Sequence, residues 1–217
     1  MTRGRSNPLS ELAKLGFENL SETVSKLDRL VELVGDWGHS ALTPLATAAS
    51  PDRALEFLLR MAEIQPKAVA KVLADAELAV RFCRIVGASD AMAEHLLRHP
   101  EAFKLPKKPA LPSNFKVSTE SRLMLRVSYR NEVLKVLDWD LSQADPAAAY
   151  QNVSKALSLL TDATLEAAIE VASQELIAEG KITAEAKESS PLAVIAMGKT
   201  GAQELNYVSD VDVIYVA

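Results

Sequence analysis

Cysteine occurs once in these 217 residues, at Cys83. A single thiol cannot close an internal disulfide, and in its helical-looking run it reads as a packed small apolar residue rather than a nucleophile. No stretch reaches about 18 consecutive apolar residues, so no membrane span is expected. The opening MTRGRSNPLSE has basic residues with no apolar segment behind them and does not read as a secretory leader. A basic excess is missing too: 24 Lys and Arg stand against 29 Asp and Glu, for a net charge of −5. General binders of nucleic acid or of anionic membranes need a basic face, so neither partner is expected. Together these absences make a cytoplasmic protein the expectation.

What the chain does have is apolar bulk. Hydrophobic residues make up 48% and charged residues 24%, enough for a sizeable core in one large domain or two small ones. Residues 1 to about 185 read as helical almost throughout. Ser21 is the expected cap of a segment carrying Val24, Leu27, Leu30, Val31 and Val34, closed by Gly35. Ser50 followed by Pro51 marks another start. Two further runs follow from Gln65 and from Ser89, the second stopped by Pro100. KLPKKPALPSN, residues 104–114, holds three prolines and reads as a linker or extended crossing. Beyond it, Thr119 is the expected cap of a long helix. Asp145 and Pro146 open another that runs towards Glu179 and stops at Gly180, with Thr161 and Asp162 as a potential break. The expected division is a helical region over 1–115, long helices over 116–185, and a different kind of domain from 186 to 217.

At Pro191 the pattern changes. PLAVIAM has strand length and is bounded by turn formers; GKTGAQELNY is loop-like; SDVDVIYVA reads as a second strand. With period-two alternation, Asp210, Asp212, Ile214 and Val216 share one face. Both faces are apolar beyond Asp212, which predicts an inner strand covered on both sides. Two carboxylates about 6.5–7 Å apart on one strand face need a counter-charge, and a divalent metal such as Mg²⁺ supplies one.

Two readings of the loop compete. AVIAMGKT, residues 193–200, fits a relaxed P-loop pattern. A P-loop, however, needs turning residues before its Gly-Lys so that backbone N–H groups cradle phosphate, and Val194, Ile195, Ala196 and Met197 are strand formers. The order apolar strand, glycine-containing turn, a spacer of residues 200–209 and an acidic pair opening a strand suits a nucleotidyltransferase better. That reading puts loop N–H groups on phosphate and the acids on metal.

The stretch GKTGAQELNYVSDVDVIYV closely resembles the signature of the bifunctional glutamine synthetase adenylyltransferase/adenylyl-removing enzymes, which are polymerase-beta-like nucleotidyltransferases. That signature runs Gly-Lys-Leu-Gly-Gly, then Glu-Leu-Asn, then Ser-Asp-x-Asp. Here Gly198, Lys199 and Gly201 are followed by Glu204, Leu205 and Asn206, then Ser209, Asp210 and Asp212, with departures at Thr200 and Ala202. LLRHPEAF (96–103) and RVSYRNEVLKVLDWDL (126–141) resemble the stretches before the family's first catalytic domain more loosely.

The resemblance implies a mostly α chain, its N-terminal helical region leading into the first strands of a truncated α/β nucleotidyltransferase domain. It further implies the deadenylylating half, in which phosphate attacks the adenylyl-tyrosine of glutamine synthetase and releases ADP. Asp210 and Asp212 would be the catalytic, Mg²⁺-holding acids, and Gly198, Lys199, Gly201 and Ser209 the nucleotide- and phosphate-binding residues. Glu204 and Asn206 would fix the loop. A third carboxylate from a later strand is expected beyond Ala217, so the expectation for this chain alone is no turnover. Expected partners are glutamine synthetase, a P-II-type nitrogen-signalling protein, ATP or ADP, and phosphate.

His95 and His99 have a metal-compatible spacing but read as helix-end polar residues. Trp37, Trp139 and Tyr129 read as packing aromatics, while Arg130 and Glu132 suit either structural ion pairs or an active-site cleft. A reading of another class also stands: a helical interaction module that binds glutamine synthetase or the signalling protein. The open edge of so short a sheet would favour pairing with another chain.

Overall fold

A computed structural model describes residues 8–103 and 105–217. The expectation that the opening stretch is not a secretory leader therefore lies largely outside the described residues, as does Lys104 of the expected linker. The chain forms two compact units, Met1–Lys104 and Leu105–Ala217.

The first unit is all helix. It comprises α1 (Pro8–Lys14), α2 (Leu20–Val34), α3 (Leu42–Leu45), α4 (Pro51–Ile64), α5 (Pro66–Leu73), α6 (Ala76–Ala88) and α7 (Asp90–Arg98), with 3₁₀ turns at Gly35–Ala41 and Pro100–Ala102. Helices α4 and α6 pack together at its centre, where Leu55, Leu58, Cys83 and Ile85 are wholly buried. Gly87 lets α6 approach the turn before α4: a Cβ there would stand 2.6 Å from the Ala48 Cβ and 3.1 Å from the Ser50 carbonyl oxygen.

The caps show how the starts are set. Ser50 accepts from the Arg53 N–H and Pro51 is the first helical residue, as the sequence predicts. The run from Gln65 divides because Asp75 caps a fresh start, accepting from the Leu78 N–H at 3.1 Å. The cap position of α2 is Asn19 rather than Ser21, and its side chain makes no capping hydrogen bond. The Asp52 carboxylate instead holds the chain entering the helix, accepting from the N–H of Glu18 (2.8 Å) and of Asn19 (3.3 Å) and from the Thr23 hydroxyl (3.2 Å). Of the predicted apolar face, Leu30 and Val34 are buried while Val24 is exposed. Trp37 is 47% exposed, contrary to its reading as a packing residue.

The second unit is built on a helical hairpin of α8 (Arg122–Asp140) and α9 (Pro146–Ala178), followed by α10 (Ala184–Ser189), β1 (Ala193–Ala196), α11 (Gly198–Gly201) and β2 (Val213–Val216). Ser121, not Thr119, caps α8, accepting from the Met124 N–H at 3.2 Å. The Ser118 hydroxyl already takes the Glu120 N–H, so the chain turns once more before the helix begins. Asp145 caps α9 through the N–H groups of Ala147 and Ala148. No break occurs at Thr161: its hydroxyl and that of Thr164 donate to carbonyls one turn back, and the helix runs on for 33 residues. Gly180, at φ 68°, ends it, with the N–H groups of Gly180 and Lys181 returning to Ile177 and Leu176. Arg122 makes a bidentate pair with Glu175, tying the open end of the hairpin.

Strands β1 and β2 form an antiparallel pair with Ala193 opposite Val216 and Ala196 opposite Val213. The mostly helical chain with a short sheet at its C-terminal end is the expected fold class. The expectation of a strand covered on both faces is not met. Ile214 and Tyr215 are 50% and 60% exposed, because β2 has one partner strand and no helical layer over it among the described residues.

Candidate functional site

The loop from Gly198 to Asp212 is shaped by its backbone first. Gly198 stands at φ +53°, the left-handed region that a side chain disfavours. It opens the single-turn α11. Gly201 is needed for a different reason: a Cβ there would lie 2.5 Å from the Ala196 carbonyl oxygen, so only glycine lets the turn lie against β1. The turn ends with Gln203 at φ 57°, while the N–H groups of Gln203 and Glu204 return to the carbonyls of Thr200 and Lys199. This is a Schellman-type stop with a non-glycine residue in the left-handed position.

Beyond it the chain has no regular structure until β2. Leu205 is buried against Val136 of α8 and Val153, Ala156 and Leu157 of α9, with Leu111, Phe115 and Trp139 around that cluster. Asn206 folds the next turn, its side-chain oxygen accepting from the Val208 N–H at 3.0 Å. The Ser209 hydroxyl oxygen accepts from the Asn206 N–H at 3.5 Å, a long contact across the same turn. The Tyr207 hydroxyl donates to Asp140 Oδ2 at 3.0 Å. Partial burial first (the residue keeps 42% of its surface exposed), then the Asp140 charge and this hydrogen bond, raise the phenol above the ordinary tyrosine range. Pairing with β1 resumes at the Asp212 carbonyl, which accepts from the Met197 N–H at 2.9 Å.

Of the residues singled out in the sequence, Gly198 and Asp212 meet: the Asp212 carboxylate oxygen lies 3.5 Å from where a Gly198 Cβ would stand. Asp210 is exposed two residues earlier in the same extended stretch, and Lys199 is exposed on α11. Neither aspartate has an ion-pair partner among the described residues, and no cluster of three or more His, Cys, Asp or Glu able to hold a metal is found there. The carboxylate pair is a hard oxygen donor set, open to solvent, and as such suits Mg²⁺. Thr200, one of the departures from the family signature, is buried, and its hydroxyl has no hydrogen-bond partner among the described residues.

The remaining candidates resolve differently. Glu132 is buried and accepts from Lys135 at 2.7 Å, a structural pair; its second carboxylate oxygen has no partner among the described residues. Arg130 is exposed. His95 is buried with its ring 5.0 Å from that of His99, which itself lies 3.4 Å from a Glu101 oxygen. An open cleft of about 350 Å³ runs along α9 between Phe115, Lys116, Thr119 and Glu166, and none of the loop residues line it. Sequence reasoning missed Tyr207 and Asp140, which lie 67 positions apart. No helix among the described residues is long and apolar enough to cross a membrane.

Comparison with known proteins agrees with the loop. A protein-family model described as glutamate-ammonia ligase adenylyltransferase matches residues 79–217. A bifunctional glutamine synthetase adenylyltransferase/adenylyl-removing enzyme from Leifsonia xyli subsp. xyli is 36% identical over all of this chain and 24% of its own length. Enzymes of the same name from Bifidobacterium longum (30% identical; 95% of this chain, 21% of theirs) and Mycobacterium bovis (36% identical; 81% and 19%) match similarly. The chain thus spans about a fifth to a quarter of the length of these curated relatives. No solved structure matches. With the family model covering well over half of the sequence, including the whole acidic loop, the chain belongs to the glutamate-ammonia ligase adenylyltransferase family.

Proposed function

We propose that this chain is part of an enzyme that controls glutamine synthetase by reversible adenylylation, and that its loop belongs to the deadenylylating half. In that half phosphate attacks the adenylyl-tyrosine phosphorus, the tyrosine oxygen leaves, and ADP is released. The observation that carries the reading is the acidic stretch beside a glycine turn: Asp212 lies against Gly198, with Asp210 two residues away and both carboxylates in solvent.

Asp210 and Asp212 would hold Mg²⁺, whose charge offsets that of the phosphoryl oxygens when it is bound. The chain's own contribution is positional. Gly198 keeps the space beside Asp212 free of a side chain, Lys199 adds positive charge on the same turn, and Ser209 offers a hydroxyl one residue before Asp210. Glutamine synthetase carrying adenylyl-tyrosine is the substrate in this reading, phosphate and ADP are the small molecules, and a P-II-type nitrogen-signalling protein is the regulator. The setting is cytoplasmic.

The test uses a longer protein that contains this chain, with adenylylated glutamine synthetase, phosphate and Mg²⁺. ADP should form, and Asp210→Asn or Asp212→Asn should slow it by about 100-fold or more, since metal-held charge is worth several kcal/mol in such transition states. Undiminished ADP formation in both variants would remove these acids from the chemistry. Pyrophosphate release from ATP that depends on these two acids would move the chain to the adenylylating half.

A further inference from the structure

We propose that Tyr207 and Asp140 form a latch that positions the Asp210–Asp212 stretch, making both of them positioning residues for the site. This deepens the function proposed above and rests on it for its consequence, though not for its geometry. Between the buried Leu205 and the Met197–Asp212 pairing, the chain crosses six residues without regular structure. Within that span, among the described residues, Asn206, Val208 and Ser209 bond only to one another. Those contacts shape the turn but tie it to nothing else. Val208, at the tip, is 91% exposed.

The Tyr207 hydroxyl reaches out of this turn to Asp140 at the last residue of α8, 67 positions away, at 3.0 Å. Among the described residues it is the polar tether from the turn to the helical hairpin, made at the surface by a side chain 42% exposed. Leu205 and Tyr207 flank Asn206 and face two kinds of anchor, one apolar and one polar, so together they set both the position and the twist of the turn. A rigid aromatic lever three residues before Asp210 carries that placement to the first acid, and the strand pairing carries it to the second. The tether also joins the loop to the stretch 126–141, the other region that resembles the family.

The 217-residue chain tests this with two readouts. In amide hydrogen exchange, Tyr207→Phe and Asp140→Ala should each speed exchange at the bonded N–H groups of Asn206, Val208 and Ser209 by about tenfold or more, leaving α8 and α9 unchanged. Asp140→Asn, whose amide oxygen still accepts from the phenol, should restore most of the protection, and the double variant Tyr207→Phe/Asp140→Ala should be no worse than either single one. The second readout is Mn²⁺ binding followed by electron paramagnetic resonance. The same variants should weaken it several-fold in the same order.

Unchanged loop exchange in Tyr207→Phe, or loop and hairpin loosening together, would overturn the latch. Equal Mn²⁺ affinity across variants of a wild-type chain that binds would overturn its functional consequence. A wild-type chain that does not bind Mn²⁺ would count against the metal reading alone, and the exchange data would still decide the latch.

Discussion

Ile85 and Ile214 are the same side chain in opposite circumstances. Ile85 lies in α6, wholly buried where the helices of the first unit converge; Ile214 lies in β2, half exposed on a two-stranded ribbon. The segments differ in pattern: α6 is amphipathic, with Glu77 and Arg84 among its apolar residues, whereas β2 is the unbroken apolar run VIYV. The difference in burial is one of layers. A helix among helices finds apolar neighbours on several sides, whereas a ribbon of two strands has two faces and two edges to cover. The comparison teaches that apolar content marks a segment built for burial, while the supply of neighbours decides how much burial it receives.

The sharpest way to break this contrast is truncation. Ile85→Ala should cost about 3–4 kcal/mol of stability in urea unfolding, the transfer of a buried side chain plus the cavity it leaves. Ile214→Ala, half solvated already, should cost about 1 kcal/mol or less. Comparable costs would mean that the ribbon is covered in solution.

A smaller effect separates backbone from side-chain control at the ribbon's end. Gly201→Ala should improve helix propensity by about 1 kcal/mol yet destabilise the loop on balance by about 1–3 kcal/mol, because the methyl meets the Ala196 carbonyl. Hydrogen exchange at 194–204 measures it, and slower exchange there would contradict the close approach.

The mildest test uses pH on the first unit. Burial pushes the Cys83 thiol up to about 12. Its folded pKa lies above the unfolded one, so its stabilising contribution is complete below about pH 9 and is lost as pH rises towards 12, at about 1.4 kcal/mol per unit. Unfolding of the first unit should become easier across that window, and a Cys83→Ser control should flatten the dependence. Disulfide reagents at pH 8 should leave the folded chain's thiol intact.

Much of this molecule was legible in its sequence where the determinant is local. Ser50 with Pro51, Asp145 with Pro146 and the stop at Gly180 all act within a few residues of themselves. The family signature was likewise contiguous. Misses occurred where a distant group decides. Ser21 suits a cap by composition, but the chain entering α2 is fixed earlier, at Glu18 and Asn19, by Asp52, more than 30 residues on. Thr119 lost to Ser121 because Ser118 had already turned the chain. At the site, the glycines and the two aspartates stood out by type and spacing, whereas Tyr207 carried no signal of its own. Only the folded hairpin brings Asp140 to it.

Leu205 bears on how the protein can be taken apart. Its side chain completes a cluster otherwise made by α8 and α9 and the segment around Leu111 and Phe115. A cut at Gly180, where sequence and helix both suggest a boundary, would release a hairpin with a leucine-shaped hole in its side. The acidic turn would come away with an unhoused apolar residue. Helical lead-in and acidic turn are therefore one piece for any dissection, exchange between relatives or transplant to another scaffold. Chimaeras should be joined before Leu105 rather than after α9.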